Sequence, residues 1–281
     1  MTQQRHVPWP GNIGPQARND KATAQNDPWV GERACSGTTR LLLEWASKSS
    51  LPAPSWQAIV AKTTQLDQRY QRWRWTAFGV TWLIYGSFYL TRKSFSVAKI
   101  AFPDDPDVTL SRADYGLVDS AYLTTYMAGQ FVFGALGDRF GPRRILVLGI
   151  TLSIAAAVAF GFYRSLLAMA GLAVAQGIAQ STGWSNTTKV MSSWFSLSER
   201  GRVIGWWCTH YAVGAAIALP FSGYLMTTFG TPRSPAEDGS EIIPYWPAGF
   251  WGPAAALSVV LAITYLLLRN RPEDVDLPPI E

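Results

Sequence analysis

The stretch Ser120–Tyr163 reads SAYLTTYMAGQFVFGALGDRFGPRRILVLGITLSIAAAVAFGFY. It contains two runs without Asp, Glu, Lys or Arg, Ser120–Gly137 (18 residues) and Ile145–Tyr163 (19 residues). The turn between them, Asp138-Arg-Phe-Gly-Pro-Arg-Arg144, is short and basic. A helix needs roughly 20 mostly apolar residues to cross a bilayer. The segment therefore reads as two membrane-crossing helices joined by a tight turn. The pattern continues outward through Ser165–Thr188, Val203–Pro232 and Ile242–Leu268, charge-free runs of 24, 30 and 27 residues. Upstream, Trp75–Thr91 is a shorter run of 17 residues. No helix breaker follows it before Pro103, so the helix is free to continue past Arg92 and Lys93.

These runs predict an all-α, polytopic membrane protein. The first span begins near Trp73 and includes Phe78–Leu90; the others cover about 116–137, 144–163, 165–188, 202–227 and 248–268. Composition agrees. Of 281 residues 48% are hydrophobic and only 15% charged, where a soluble protein carries about 25% charge. An ordinary soluble domain is excluded, and the net charge of +5 does not point to nucleic acid. Lys and Arg gather in alternate connections. Arg69, Arg72 and Arg74 precede the first span, Arg139, Arg143 and Arg144 follow the second, Lys189, Arg200 and Arg202 follow the fourth, and Arg269 and Arg271 follow the sixth. The opposite loops carry Asp104, Asp105, Asp107, Asp114, Glu237, Asp238 and Glu241. The bias puts both termini in the cytoplasm.

Residues 1–71 form a polar N-terminal tail, 72–271 the bundle and 272–281 a further polar segment. Residues 1–27 lack any apolar period and read as disordered. Leu41–Trp45 and Trp56–Leu66 read as short helices separated by Pro52 and Pro54. No apolar run near Met1 marks a signal peptide. Two cysteines, Cys35 and Cys208, and two histidines, His6 and His210, make neither a disulfide framework nor a metal site. No cofactor is expected, and no catalytic constellation marks an enzyme.

Three patterns carry chemistry. Gly134-Ala-Leu-Gly-Asp138-Arg139-Phe-Gly141-Pro-Arg143-Arg144 lies at the junction of spans two and three. Gly134 permits close helix approach, Gly141 and Pro142 suit a tight turn, and Asp138 can pair with one of the arginines. In Tyr85-Gly-Ser-Phe-Tyr89-Leu-Thr-Arg92-Lys93, residues 85, 89 and 92 share one helix face. Two phenols and a guanidinium on that face can cradle an anion, because arginine stays charged and donates paired hydrogen bonds. The alternative is that the span ends at Thr91 and both basic side chains extend to the interface. His210, in Trp206-Trp207-Cys208-Thr209-His210-Tyr211, is either a packing hydrogen-bonder or a group facing the same cavity as Arg92. Trp184, in Ser181-Thr-Gly183-Trp184-Ser-Asn186, packs the core or walls a cavity. Glu199 favours a helix start.

Together, Tyr85–Lys93, Gly134–Arg144, Gly183–Gly201 and Trp206–Gly214 resemble the organophosphate:phosphate antiporters, a branch of the major facilitator superfamily. The resemblance runs from about Arg72 to the end, and Arg271–Glu281 is similar to the start of that family's central loop. It implies the first six-helix half of a twelve-helix carrier, with the site at the interface of two halves. It also implies exchange of glycerol 3-phosphate or a sugar phosphate for inorganic phosphate, with Arg92 gripping the phosphate. Tyr85, Tyr89, Lys93, His210 and Trp184 would line the site. Gln130 stands where bacterial members carry a lysine, keeping hydrogen bonding and losing the charge. Gly134, Asp138, Arg139, Gly141, Arg143 and Arg144 would serve the conformational switch. The second half, with its own arginine, is expected beyond this chain. A sugar-phosphate sensor that docks a partner through its tail, and a facilitator of another anion, are the alternatives.

Overall fold

Ser111 opens the second long helix with a reciprocal cap. Its Oγ accepts from the Asp114 amide at 3.3 Å, and its own amide donates to Asp114 Oδ2 at 2.8 Å. Gly141 ends that helix at φ +87°, a conformation that an L side chain rarely adopts. Pro142 starts the next helix in its first turn, where a missing N–H costs nothing. The expected turn between the second and third spans is therefore present. The computed structural model describes residues 53–232 and 242–280, with side chains from Thr64 onward. Residues 64–281 form one compact unit. The readings of 1–27 and Leu41–Trp45, and the acidic residues 237, 238 and 241, lie outside the described residues.

Eight α-helices occur among the described residues: α1 (Ala53–Ala101), α2 (Arg112–Phe140), α3 (Pro142–Phe160), α4 (Leu166–Ser181), α5 (Gly183–Trp194), α6 (Leu197–Trp207), α7 (Thr209–Thr228) and α8 (Ala248–Leu267). A two-residue antiparallel ladder, β1 (Thr231–Pro232) with β2 (Ile242–Ile243), joins α7 to α8.

Three expectations need correction. Trp56–Leu66 is no separate helix but part of α1; Pro54 is tolerated because it sits in the first turn. The expected fourth span is divided at Thr182 into α4 and α5. The fifth is divided at Cys208 into α6 and α7 and begins earlier, at Leu197. Thr182 (φ −65°, ψ −19°) and Cys208 (φ −61°, ψ −11°) keep helical dihedrals, so each break interrupts the hydrogen-bond ladder more than the path. Among the described residues, α3 and α8 alone are, as single helices, long and apolar enough to cross a membrane.

Two apolar clusters fill the bundle. One holds Ile84 and Phe88 of α1, Leu146 and Ile150 of α3, Val190 and Trp194 of α5, and Leu257 and Val260 of α8. The other holds Phe95 and Phe102, Phe160, Met169 and Ala173, and Phe250. Between them along α1, α3 and α4 lies a buried polar layer: Thr91, Ser153, Gln176 and Gln180. Outward, Phe131 and Leu167 are 85% and 86% exposed, amid many other exposed apolar side chains. That surface would be costly in water and is ordinary in lipid.

The two ends of the bundle differ. At one, Arg74 pairs with Glu199, Lys189 Nζ lies 2.6 Å from Asp138 Oδ1, Arg69 donates to Val275 O at 2.8 Å, and the Arg143 amide donates to Asn270 Oδ1 at 2.8 Å. These contacts gather the arginine-rich connections on one side. At the other end, Asp105 Oδ2 accepts from the Trp246 indole at 2.8 Å and from Arg164 Nε at 3.1 Å, and Lys99 pairs with Asp119.

Candidate functional site

α1 continues nine residues past Arg92, so this arginine does not sit at a helix end. Over the remaining turns the helix rises roughly 14 Å. Arg92 turns into the polar layer. Its Nε donates to Gln180 Oε1 at 2.9 Å, and its guanidinium carbon lies 4.8 Å from the ring centroids of both Tyr89 and Tyr126. Tyr122 is 5.9 Å away. Its Nη2 is buried without a hydrogen-bond partner among the described residues. The helix thus continues past Thr91, and Arg92 turns toward Gln180 instead of outward.

Gln180 fixes this geometry. Its amide donates to Phe88 O at 3.2 Å and Thr91 Oγ1 at 2.9 Å, which leaves Oε1 to accept from Arg92 and from the Tyr122 hydroxyl, also at 2.9 Å. The acceptor is neutral. Arg92 keeps its full charge uncompensated by any carboxylate in ion-pair contact among the described residues, in a region of low dielectric where that charge acts strongly on an approaching anion.

Next to the guanidinium lies an aromatic box. Tyr85 is buried, its hydroxyl 2.9 Å from that of Tyr126. Its ring centroid lies 4.6 Å from His210, 5.2 Å from Tyr211, 5.7 Å from Trp184 and 6.4 Å from Tyr89. His210 is fully buried, and both ring nitrogens lack partners among the described residues. Gly214 sets this approach of α7 to α1. A Cβ there would stand 2.7 Å from Gly86 O and 3.2 Å from Tyr89 Cβ, so only glycine lets the helices meet and seats His210 against Tyr85.

Of the predicted residues, Arg92, Tyr85, Tyr89, His210 and Trp184 are brought together. Gln130 is not in this box: its Oε1 accepts from Ser185 Oγ at 3.2 Å, nearer the turn. Lys93, one position further round α1, has no hydrogen-bond or ion-pair partner among the described residues. Tyr122, Tyr126, Gln180 and Tyr211 were not foreseen. A signal existed: Gln176 and Gln180, and Tyr122 and Tyr126, each stand four apart within apolar runs, on one helix face.

The turn motif also differs from expectation. Asp138 pairs with Lys189 of α5, not with an arginine of its own loop, and Lys189 also donates to Gly134 O. The arginines lie elsewhere: Arg139 over the Phe140 ring at 5.4 Å, and Arg143 over Tyr265 at 5.4 Å. A Cβ at Gly134 would meet Ser185 Oγ at an ordinary 3.6 Å; the tight approach is one turn on, where Gly137 faces Asn186.

Residues 77–281 match the family described as Major Facilitator Superfamily. Among curated proteins, the chain is 30% identical over 237 residues to the membrane sensor protein UhpC of Escherichia coli, covering 82% of this chain and 48% of that protein. It is 28% identical to a glycerol-3-phosphate transporter of Bacillus subtilis, again covering 82% and 48%. It is 26% identical to a glucose-6-phosphate exchanger of Mus musculus, covering 71% and 42%. The chain thus spans about half the length of these relatives. Among solved structures, a bacterial homologue of the human lysosomal transporter Spinster superposes with a TM-score of 0.60 at 20% identity, over 71% of this chain and 44% of the other. That likeness concerns the fold.

Proposed function

Because the chain belongs to the major facilitator superfamily, and so to multi-pass integral membrane transporters, we propose that residues 72–271 cross the bilayer six times and bind an organophosphate through Arg92. α4 with α5, and α6 with α7, each make one crossing despite the breaks at Thr182 and Cys208. The arginine-rich end faces the cytoplasm, which puts the tail 1–71 and the segment 272–281 there too. The substrate is glycerol 3-phosphate or a sugar phosphate, exchanged for inorganic phosphate by alternating access with a second six-helix half.

The observation that carries this reading is Arg92 itself: its Nε is held by the neutral Gln180 amide beside the phenols of α1 and α2, while its buried Nη2 has no partner among the described residues. A phosphate oxygen would satisfy that donor and gain a charge-assisted bond. The Tyr85–Tyr126 hydroxyls supply neutral donors, and His210, once the phosphate arrives, gains an acceptor for its N–H. Trp184 and Tyr211 form apolar walls for the organic part. No covalent bond is made or broken, so the protein is a carrier and not an enzyme. Closure is driven by the differential affinity of the two states for the anion.

The relation to a protein named a membrane sensor favours a second reading, ligand binding without flux. Gln130 in place of a lysine is consistent with it. Liposomes loaded with inorganic phosphate and carrying the full-length gene product separate the two. A carrier takes up labelled glycerol 3-phosphate or glucose 6-phosphate only when phosphate is inside, and Arg92→Ala abolishes uptake. Binding with no uptake identifies a sensor, and uptake unchanged by Arg92→Ala contradicts the site.

A further inference from the structure

On the outer wall of the bundle, at the end that holds the α2–α3 turn, α3 and α8 leave a groove of about 760 Å³. It does not include Arg92 or any part of the aromatic box. Arg143, Arg144 and Arg269 line it. None of the three makes an ion pair among the described residues. Arg143 donates to Tyr265 O and rests on its ring. Arg269 Nη1 donates to Leu266 O and Leu268 O at 3.1 and 3.0 Å, with Trp73 beneath its guanidinium at 5.6 Å. Arg144 makes no hydrogen bond among the described residues.

One carboxylate, Asp274, borders the groove, and it is already engaged. Its Oδ2 accepts from the Asn270 and Arg271 amides at 2.8 and 3.3 Å. Three guanidiniums therefore face one committed carboxylate, an arrangement that self-repulsion disfavours unless an anion sits among them. Away from the arginines and Asn270, the α3–α8 wall of the groove is largely apolar and open, formed by Val147, Leu148 and Tyr265. Leu148 is 57% exposed and Tyr265 63%, and Thr151 lies one turn deeper along α3. A ligand that suits both parts carries a phosphodiester for the arginines and a hydrocarbon chain for the α3–α8 wall.

We propose that this groove binds an anionic phospholipid of the leaflet in which this end of the bundle lies. Basic pockets between membrane helices suit such headgroups. A zwitterionic lipid fits less well, because its ammonium would sit among three cations. Since Arg143 and Arg144 belong to the α2–α3 turn and Arg269 follows α8, one headgroup ties these two segments together.

The test uses the chain purified in neutral detergent and native mass spectrometry, with equimolar phosphatidylglycerol and phosphatidylcholine as probes. The expected result is about a tenfold preference for phosphatidylglycerol, reduced severalfold by Arg144→Gln and lost in the triple variant Arg143→Gln, Arg144→Gln, Arg269→Gln. Millimolar inorganic phosphate does not displace the lipid, which distinguishes a headgroup from a free anion. Equal adducts of both lipids, a preference that survives the triple change, or displacement by inorganic phosphate each overturns the proposal. Should the triple variant lose its helicity, Arg144→Gln decides alone, and an unchanged lipid ratio overturns the proposal. Arg92→Gln is expected to leave the lipid ratio untouched, so failure here and failure of the phosphate site are read separately.

Discussion

Arg92 owes its position to one oxygen. Gln180 Oε1 accepts from both Arg92 and Tyr122, and the Gln180 amide is anchored on α1 by Phe88 O and Thr91 Oγ1. Leaving a buried donor without a partner costs about 1–3 kcal/mol, and more for a charged group. Gln180→Leu is therefore expected to lower the thermal midpoint and to weaken phosphate binding by about tenfold or more; an unchanged midpoint would count against this account of the layer. His210 offers the opposite test. Both its nitrogens lack partners among the described residues, so His210→Phe is expected to leave thermal stability within about 1 kcal/mol of the parent while weakening phosphate binding. A large loss of stability with binding intact would make His210 a packing residue. At this scale the sequence revealed the α1 face, because Tyr85, Tyr89 and Arg92 are local and periodic. It concealed Gln180 and the phenols of α2, because uncharged side chains acquire meaning only from a neighbour some 40 to 90 residues away.

Elements are held by a few close approaches and caps. A Cβ at Gly214 would stand 2.7 Å from Gly86 O, closer than such a pair can approach. Gly214→Val is therefore expected to prevent assembly of α7 on α1, seen as loss of folded protein in size-exclusion profiles. Gly205→Ala, with nothing within 4 Å of its Cβ, is expected to be tolerated, and equal behaviour of the two variants would contradict the packing described. The loop cluster at the acidic end is sensitive to pH. Burial raises the pKa of Asp105, but the Trp246 indole, the Asp107 amide and Arg164 outweigh it, so the net shift is downward from the ordinary 3.8. A depressed native value means that the contribution of Asp105 is complete above about pH 4 and is lost as pH falls below 3.8 through the native pKa. Melting curves between pH 7 and pH 3 are expected to show a smaller acid-induced drop for Asp105→Asn than for the parent; identical drops would contradict the cluster's role. The charge-free runs fixed where most helices lie, since burial in lipid needs length and apolarity. The breaks at Thr182 and Cys208 were hidden because both residues keep helical dihedrals, and neither is a proline.

At the scale of the whole molecule, two apolar clusters clamp a polar layer, and the arginine-rich connections collect at one end. That asymmetry was legible from loop composition alone. What the sequence did not reveal is the partner of Asp138: Lys189 lies 51 positions away, and an arginine in the same loop looked nearer. The central claim is that the charge of Arg92, at the level of the polar layer, receives a phosphate. The direct measurement is a titration of the purified chain with inorganic phosphate and with glycerol 3-phosphate, followed by tryptophan emission, since Trp184 and Trp207 flank His210 at 6.5 and 4.3 Å. Saturable changes with both ligands, weakened about tenfold or more by Arg92→Gln, are the predicted result. Superimposable curves for the parent and Arg92→Gln would contradict it.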